Sequence, residues 1–297
     1  MTHWLVGMDL QATSAGALRY AAWVHEQGAG AVTLRALHVV EQLEQHYAVR
    51  LGLHPKERLL SLTTEAAQDT LRQAGLEQCF GEVDVVPGGA ADEVLDQQRG
   101  RAQAVAIIVG RQGPVRDGFP PRLGRVARHL LRHASGPVVV VPPELDVARL
   151  DGPVVLATDL GPASVAAAKF AKERAEQWNR PLCVVHVVPP IDGGALSFLP
   201  GQASEGARRA RYLQKRTGLE RWIREHELGE VDSELPVGNA VEQLLAVARR
   251  GSPLVVCGAR RLSWVQRRLE ASHATVLSSH AAVPVAVVPP PPAEQPA

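Results

Sequence analysis

Glycines and arginines crowd one short stretch of this chain, GRQGPVRDGFPPRLGRVARHL, from Gly110 to Leu130. Gly110 and Gly113 have no side chain to hold a phosphate away from backbone N–H groups. Gly124 precedes a segment patterned as a helix, whose first free N–H groups favour an anion. Arg111, Arg116, Arg122, Arg125, Arg128 and Arg132 stand there against a single acid, Asp117. A second cluster, Arg249, Arg250, Arg260, Arg261, Arg267 and Arg268, has no acid between Gln243 and Leu269. Arginine offers a bidentate fork to phosphate, so an anion site is one reading. A solvated charged face is the other. Asp9 and Asp159 each follow an apolar run and read either as turn formers and caps or as ligand residues.

Other chemistries lack their motifs. There is no GxGxxG after the first apolar run, no GxxxxGK[ST] and no GxSxG, so dinucleotide, P-loop and α/β-hydrolase mechanisms are not supported. His129 and His133 have the i, i+4 spacing that holds zinc, but no Cys or carboxylate has matching ligand spacing, and no metal is expected. Cys79, Cys183 and Cys257 are far apart and never paired as CxxC, which suits reduced thiols in a cytoplasmic protein. A net charge of +1 gives no field for nucleic acid or a membrane surface. No apolar run approaches the ~18–20 residues of a membrane helix, and the N-terminus enters an apolar strand without a basic leader.

The elements that must position these residues occur twice. LVGMDLQATSAGALRYAAWV is answered by VVLATDLGPASVAAAKFAKE, LHVVE by VHVVP, VVPGGAADEVL by LPVGNAVEQLL, AIIVGRQG by LVVCGARR, and GPVVVVPP by VPVAVVPP. The offset stays between 147 and 150 residues, so the copies are collinear. In the first copy β-branched runs predict strands at Trp4–Met8, Val32–Val39, Val83–Val86, Val105–Val109 and Val138–Val141. Helices are expected near Ser14–Gly28, Pro55–Gly75, Ala90–Arg101 and Pro121–Ala134, with an inward stripe at Leu59, Leu62, Ala66, Leu71 and Ala74 in the second. Ser14 and Ser164 read as helix caps. Short apolar strands joined by helices imply a parallel sheet covered on both faces. With 297 residues and 45% hydrophobic composition, the chain suits two α/β, doubly wound, five-stranded Rossmann-like domains, 1–146 and 151–290, and a disordered tail over 291–297. The apolar last strands, Val138–Val141 and Val285–Val288, need cover, which an internal pseudo-two-fold dimer supplies by setting one against the other.

The chain resembles the universal stress protein family. The resemblance rests on Asp9 after the first strand, Gly110-x2-Gly113 and Leu123-Gly124 after the fourth, and RHASGPVVVV at the end of the copy, and it covers both halves from Trp4 to Pro290. It implies that ATP or another adenine nucleotide is bound, as in some members, by a Gly-x2-Gly-x9-Gly-Ser/Thr segment. Asp9 and Asp159 would then lie beside the adenosine, and the backbone of Val39 and Val187 beside adenine. The motif is damaged in both copies. The first has a ten-residue spacer and Arg125 at the hydroxyl position, where Arg125 would serve as a substitute phosphate donor. The second keeps Gly258 and Ser272 but has Arg261 and Ala271 at the other glycine positions. The first half is therefore expected to hold any nucleotide, with Gly110, Arg111, Gly113, Gly124 and Arg125 as its phosphate residues. The resemblance implies a stress-response or regulatory binding protein without catalytic turnover. Alternatives are a nucleotide-free scaffold acting on an unknown protein partner and a nucleotide-using enzyme. A homodimer of the whole chain, and a lid role for the loop near Pro189–Gly201, stay open.

Overall fold

The computed structural model describes residues 1–42, 46, 56–80, 83–112, 123–190, 201–259 and 273–291. Its frame follows from the β-branched runs. In the first half these are β1 (Thr2–Gly7), β2 (Val32–Glu41), β3 (Asp84–Gly88), β4 (Ala106–Gly110) and β5 (Val138–Val141). In the second they are β6 (Val154–Ala157), β7 (Leu182–Val185), β8 (Asp232–Glu234), β9 (Val255–Gly258) and β10 (Val285–Val288). Helices connect them: α1 (Ala15–Gln27), α2 (Lys56–Gln73), α3 (Glu77–Phe80), α4 (Ala91–Arg101) and α5 (Arg125–His133), then α6 (Ala163–Gln177), α7 (Gly201–Glu225), α8 (Ala240–Ala248) and α9 (His273–His280).

The strands form one ten-stranded sheet in the order β3-β2-β1-β4-β5-β10-β9-β6-β7-β8. Every pair within a half is parallel, and the halves join through an antiparallel β5–β10 pair with Val140 opposite Val285 and Val138 opposite Val287. The two apolar edges cover each other, as the expected pseudo-dimer requires. The outer edges carry other safeguards. β3 contains Pro87 and Asp84, the latter paired with Arg35, while β8 is three residues long and its Glu234 pairs with Arg250.

Because strand side chains alternate, each four-residue strand feeds two cores. Val139, Val141, Val154 and Leu156 enter one continuous core that spans both halves, whereas Val138 with Val140 and Val155 with Ala157 enter two separate cores behind the sheet. The continuous core is sealed by aromatics from both copies. Trp178, the C-cap of α6, stacks on Trp4 of β1 at 6.5 Å and meets Trp23 of α1 edge-on at 5.2 Å. The buried Arg174 guanidinium lies over Trp4 and Phe170, and burial pulls it below its ordinary value.

Helix α2 departs from its expected stripe. Ala67 and Leu71 are buried, while Ala66 and Ala74 are exposed. Thr63 and Thr64 turn partly inward because their hydroxyls donate to the carbonyls of Leu59 and Leu60, which satisfies them away from water. The tail beyond residue 291 lies outside the described residues. Among the described residues no helix is long and apolar enough to cross a membrane.

Candidate functional site

At the C-terminal end of the first strand of each copy, an aspartate is followed by a leucine in the left-handed region, Leu10 at φ 58° and Leu160 at φ 64°. Such backbone costs about 1–3 kcal/mol and persists where its surroundings hold it. The aspartate is one such hold. Asp9 Oδ1 accepts from the N–H of Gln11 at 3.0 Å, and Asp159 Oδ1 from that of Gly161 at 2.9 Å. The serines expected to cap helices brace the aspartates instead. Ser14 Oγ donates to Asp9 at 2.5 Å and Ser164 Oγ to Asp159 at 2.9 Å; Ser14, the N-cap of α1, makes no side-chain cap bond, and Ser164 lies inside α6, whose N-cap is Pro162. Each hydroxyl is oriented across the loop by a partner five residues earlier, which leaves it unavailable to the helix N–H groups.

A histidine on the neighbouring strand completes each corner. His38 Nδ1 donates to the Met8 carbonyl at 2.8 Å, and His186 Nδ1 to that of Thr158 at 2.8 Å. The carbonyl can only accept, so the proton sits on Nδ1. Burial holds the His186 imidazole below its ordinary value; the Thr158 carbonyl opposes this, the Lys215 ammonium adds to it, and Asp159 opposes it. His186 is thus neutral near pH 7.

Gly110 and Gly258 were expected as phosphate-facing backbone. They are required for a different reason: a Cβ at Gly110 would sit 2.6 Å from the Thr13 carbonyl oxygen, and one at Gly258 2.2 Å from that of Ala163. The glycines let the start of α1 or α6 lie against the strand end. Gly124, the N-cap of α5, has no such constraint among the described residues, where a Cβ would meet only the Gln112 side chain at 3.5 Å.

Two arginines expected at phosphate serve the fold. Arg111 is 1% exposed; its Nη1 donates to the carbonyls of Ser279 and Ala281 at 2.9 Å each, and its Nη2 pairs with Glu144. It holds the C-terminal end of α9 in the other half and cannot reach a ligand. Arg125 pairs with Glu41 and, at 3.3 Å, with Asp92, which also meets His129 at 3.4 Å. Burial raises the Glu41 carboxyl, but the Ala91 N–H and the Arg125 guanidinium outweigh it and lower the group overall. Arg125 is committed to carboxylates. Among the described residues no group of three or more His, Cys, Asp or Glu is set to hold a metal.

In the second half, Pro189 stands where the first has Glu41. Here a cleft of about 600 Å³ opens over the ends of β6, β7 and β9. Asp159 and Ser164 lie at one side, His186 and Val187 along the floor, and Gly258 and His273 toward α9. Gly238 and Asn239 close the far wall, with Asn239 Oδ1 capping α8 through the N–H groups of Val241 and Glu242. Arg211 and Lys215 of α7 line the cleft as well. Cys257 borders the cleft, but burial pushes its thiol up to about 12, so it is not a nucleophile.

Of the sequence candidates, the cleft brings together Asp159, Val187 and Gly258. Asp9 and the buried Val39 occupy the corresponding corner of the first half. Gly113 and Ser272 lie outside the described residues. Sequence reasoning missed Arg211, Lys215, His186 and Asn239. The available signal was helical spacing: counting back from Leu219, the core stripe of α7 lands on Lys215 and Arg211.

Comparison with known proteins identifies the family and the fold. The model of the "Universal stress protein family" matches residues 1–142 and 152–289. A universal stress protein of Mycolicibacterium smegmatis is 29% identical over 204 residues, covering 63% of this chain and 66% of that protein. Universal stress protein Rv1996 of Mycobacterium tuberculosis is 35% identical over 104 residues, 33% of this chain and 32% of its own length. These matches thus span just under two thirds and about one third of the relatives' own lengths. The crystal structure of a universal stress protein from Archaeoglobus fulgidus, 17% identical, covers 97% of this chain and 98% of its own with a TM-score of 0.63, a likeness of fold. The chain belongs to the universal stress protein family, as a tandem of two Rossmann-like domains.

Proposed function

We propose that this protein is a cytoplasmic stress-response regulator that binds an adenine nucleotide in the cleft of its second half. The observation that carries the reading is Lys215 and Arg211 at the cleft wall, half-buried and paired with no carboxylate among the described residues. Cations held partly out of water without an acid favour an anionic ligand. The cleft's size falls within the ~300–1,000 Å³ of small-molecule sites. In this reading Asp159 meets the ribose hydroxyls and the main chain at Val187 the adenine edge, as the family resemblance implies.

This reading moves the expected site from the first half to the second. The first-half expectation rests on Gly110, Gly113 and Gly124 there and on Arg261 and Ala271 crowding the second half; Gly113, Arg261 and Ala271 lie outside the described residues. Among those described, Arg125 is neutralised by Glu41 and Asp92, and Arg111 is buried in the interdomain clamp. The proposed activity is binding without turnover. Mass spectrometry of small molecules released from freshly purified protein tests it, with an adenine nucleotide expected at up to one per chain. Protein that releases none and gives no heat with ATP, ADP or AMP would instead be the nucleotide-free scaffold.

A further inference from the structure

The inward stripe of α7 changes chemistry halfway along the helix. Its C-terminal half turns Leu219, Trp222 and Ile223 into the core, all buried. One helical turn after another toward the N-terminus, the same stripe continues through Lys215, Tyr212, Arg211 and Arg208. Lys215, Tyr212 and Arg211 are half-buried and Arg208 is exposed. Among the described residues none of these three cations has a carboxylate partner. A helix that only packed on the sheet would continue its apolar stripe; this one puts cations and a tyrosine there, over open space.

That space is a groove of about 460 Å³ past the end of β7, walled by Pro189, Pro190, Tyr212, Arg208 and, opposite, Val237. Val237 is 54% exposed, a large apolar side chain left in water at the groove's lip. The groove shares Pro189, Pro190 and Arg211 with the cleft, so the two adjoin. Proline rings, a phenol and a guanidinium plane are stacking faces for a flat ring. Arg211, at the junction, suits the anionic chain that would connect such a ring to the nucleoside in the cleft. Tyr212, Arg208 and Val237 line the groove and not the cleft, so a mononucleotide held in the cleft would leave them without a contact.

We infer that the groove receives the second base of a dinucleoside polyphosphate whose first nucleoside occupies the cleft. This rests on the reading of the cleft as a nucleotide site. The test is calorimetric titration of the full chain with diadenosine tetraphosphate and with adenosine 5′-tetraphosphate, which has the same phosphates and lacks the second base. The dinucleotide should bind about ten-fold tighter or more. In Tyr212→Ala that advantage should fall to within about two-fold, while the affinity for adenosine tetraphosphate holds; Arg208→Gln, a substitution at an exposed position, should reduce it too. Equal or weaker binding of the dinucleotide, or an advantage kept in both variants, overturns the inference while leaving the cleft reading intact. If neither ligand binds, both fall together.

Discussion

Arg111 Nη1, in the first half, donates to the carbonyl oxygen of Ala281, in the second, at 2.9 Å. The same nitrogen serves the Ser279 carbonyl, so the free carbonyls at the C-terminal end of α9 receive a buried cation. Since Arg111 directly follows β4, this contact locks the two copies together next to the β5–β10 seam. Arg111→Met removes three charge-assisted contacts, to the Ser279 and Ala281 carbonyls and to Glu144, and leaves buried carbonyls unpaired, which should cost about 3 kcal/mol. Urea denaturation reads the loss. An unchanged midpoint with altered nucleotide affinity would restore Arg111 to a ligand site.

Glycine at the strand ends separates packing from phosphate binding. Gly258→Ala puts a Cβ 2.2 Å from a backbone oxygen and should destabilise by about 2–3 kcal/mol. Gly124→Ala, whose Cβ meets the described residues only at the ordinary contact distance of 3.5 Å, should cost under about 1 kcal/mol, the loss of a favourable N-cap residue. Thermal denaturation of both variants decides; comparable losses would contradict the packing argument.

His186 makes stability depend on pH with a definite sign. The unfolded chain takes up a proton near the ordinary value of 6.5, while folded His186, its value lowered by burial, takes one up only at lower pH. Stability from this group is full above about pH 6.5 and is lost as pH falls toward the folded value. Unfolding free energy should therefore drop between pH 7.5 and 5.5 by more in the wild type than in His186→Gln. A steeper drop in the variant would reverse the sign and refute the assignment.

Hydrolysis of ATP should not exceed the buffer blank. This follows from the proposed reading of the cleft as a site of binding without turnover, since phosphoryl transfer needs metal ligands and a group that orients the attacking water. Phosphate release well above the blank, abolished by Asp159→Asn, would show an enzyme.

What the sequence made legible was the part written locally. β-branched runs marked the strands, and a collinear repeat with two uncovered edges, Val138–Val141 and Val285–Val288, implied their antiparallel pairing. The site was read less well because its partners are distant in the chain. Arg111 and Ser279 are 168 residues apart, and Arg125 meets Glu41 across 84. Spacing shows that arginines are clustered, and only the fold shows which of them are already neutralised. Ser14 and Ser164 stood at cap positions by spacing, yet an aspartate five residues earlier claimed both hydroxyls. The cations of α7 drew no notice because a helix counted by composition hides which face points inward.

The central claim is that the anionic ligand sits in the second half, and calorimetric titration of ATP into Lys215→Gln and Arg125→Gln tests it most directly. Loss of one charge-assisted bond is worth about 1.5–3 kcal/mol, so Lys215→Gln should weaken binding about ten-fold or more. Arg125→Gln, which alters only a cluster with Glu41 and Asp92, should stay within about two-fold of the wild type. Binding abolished by Arg125→Gln and untouched by Lys215→Gln would put the ligand in the first half and contradict the account.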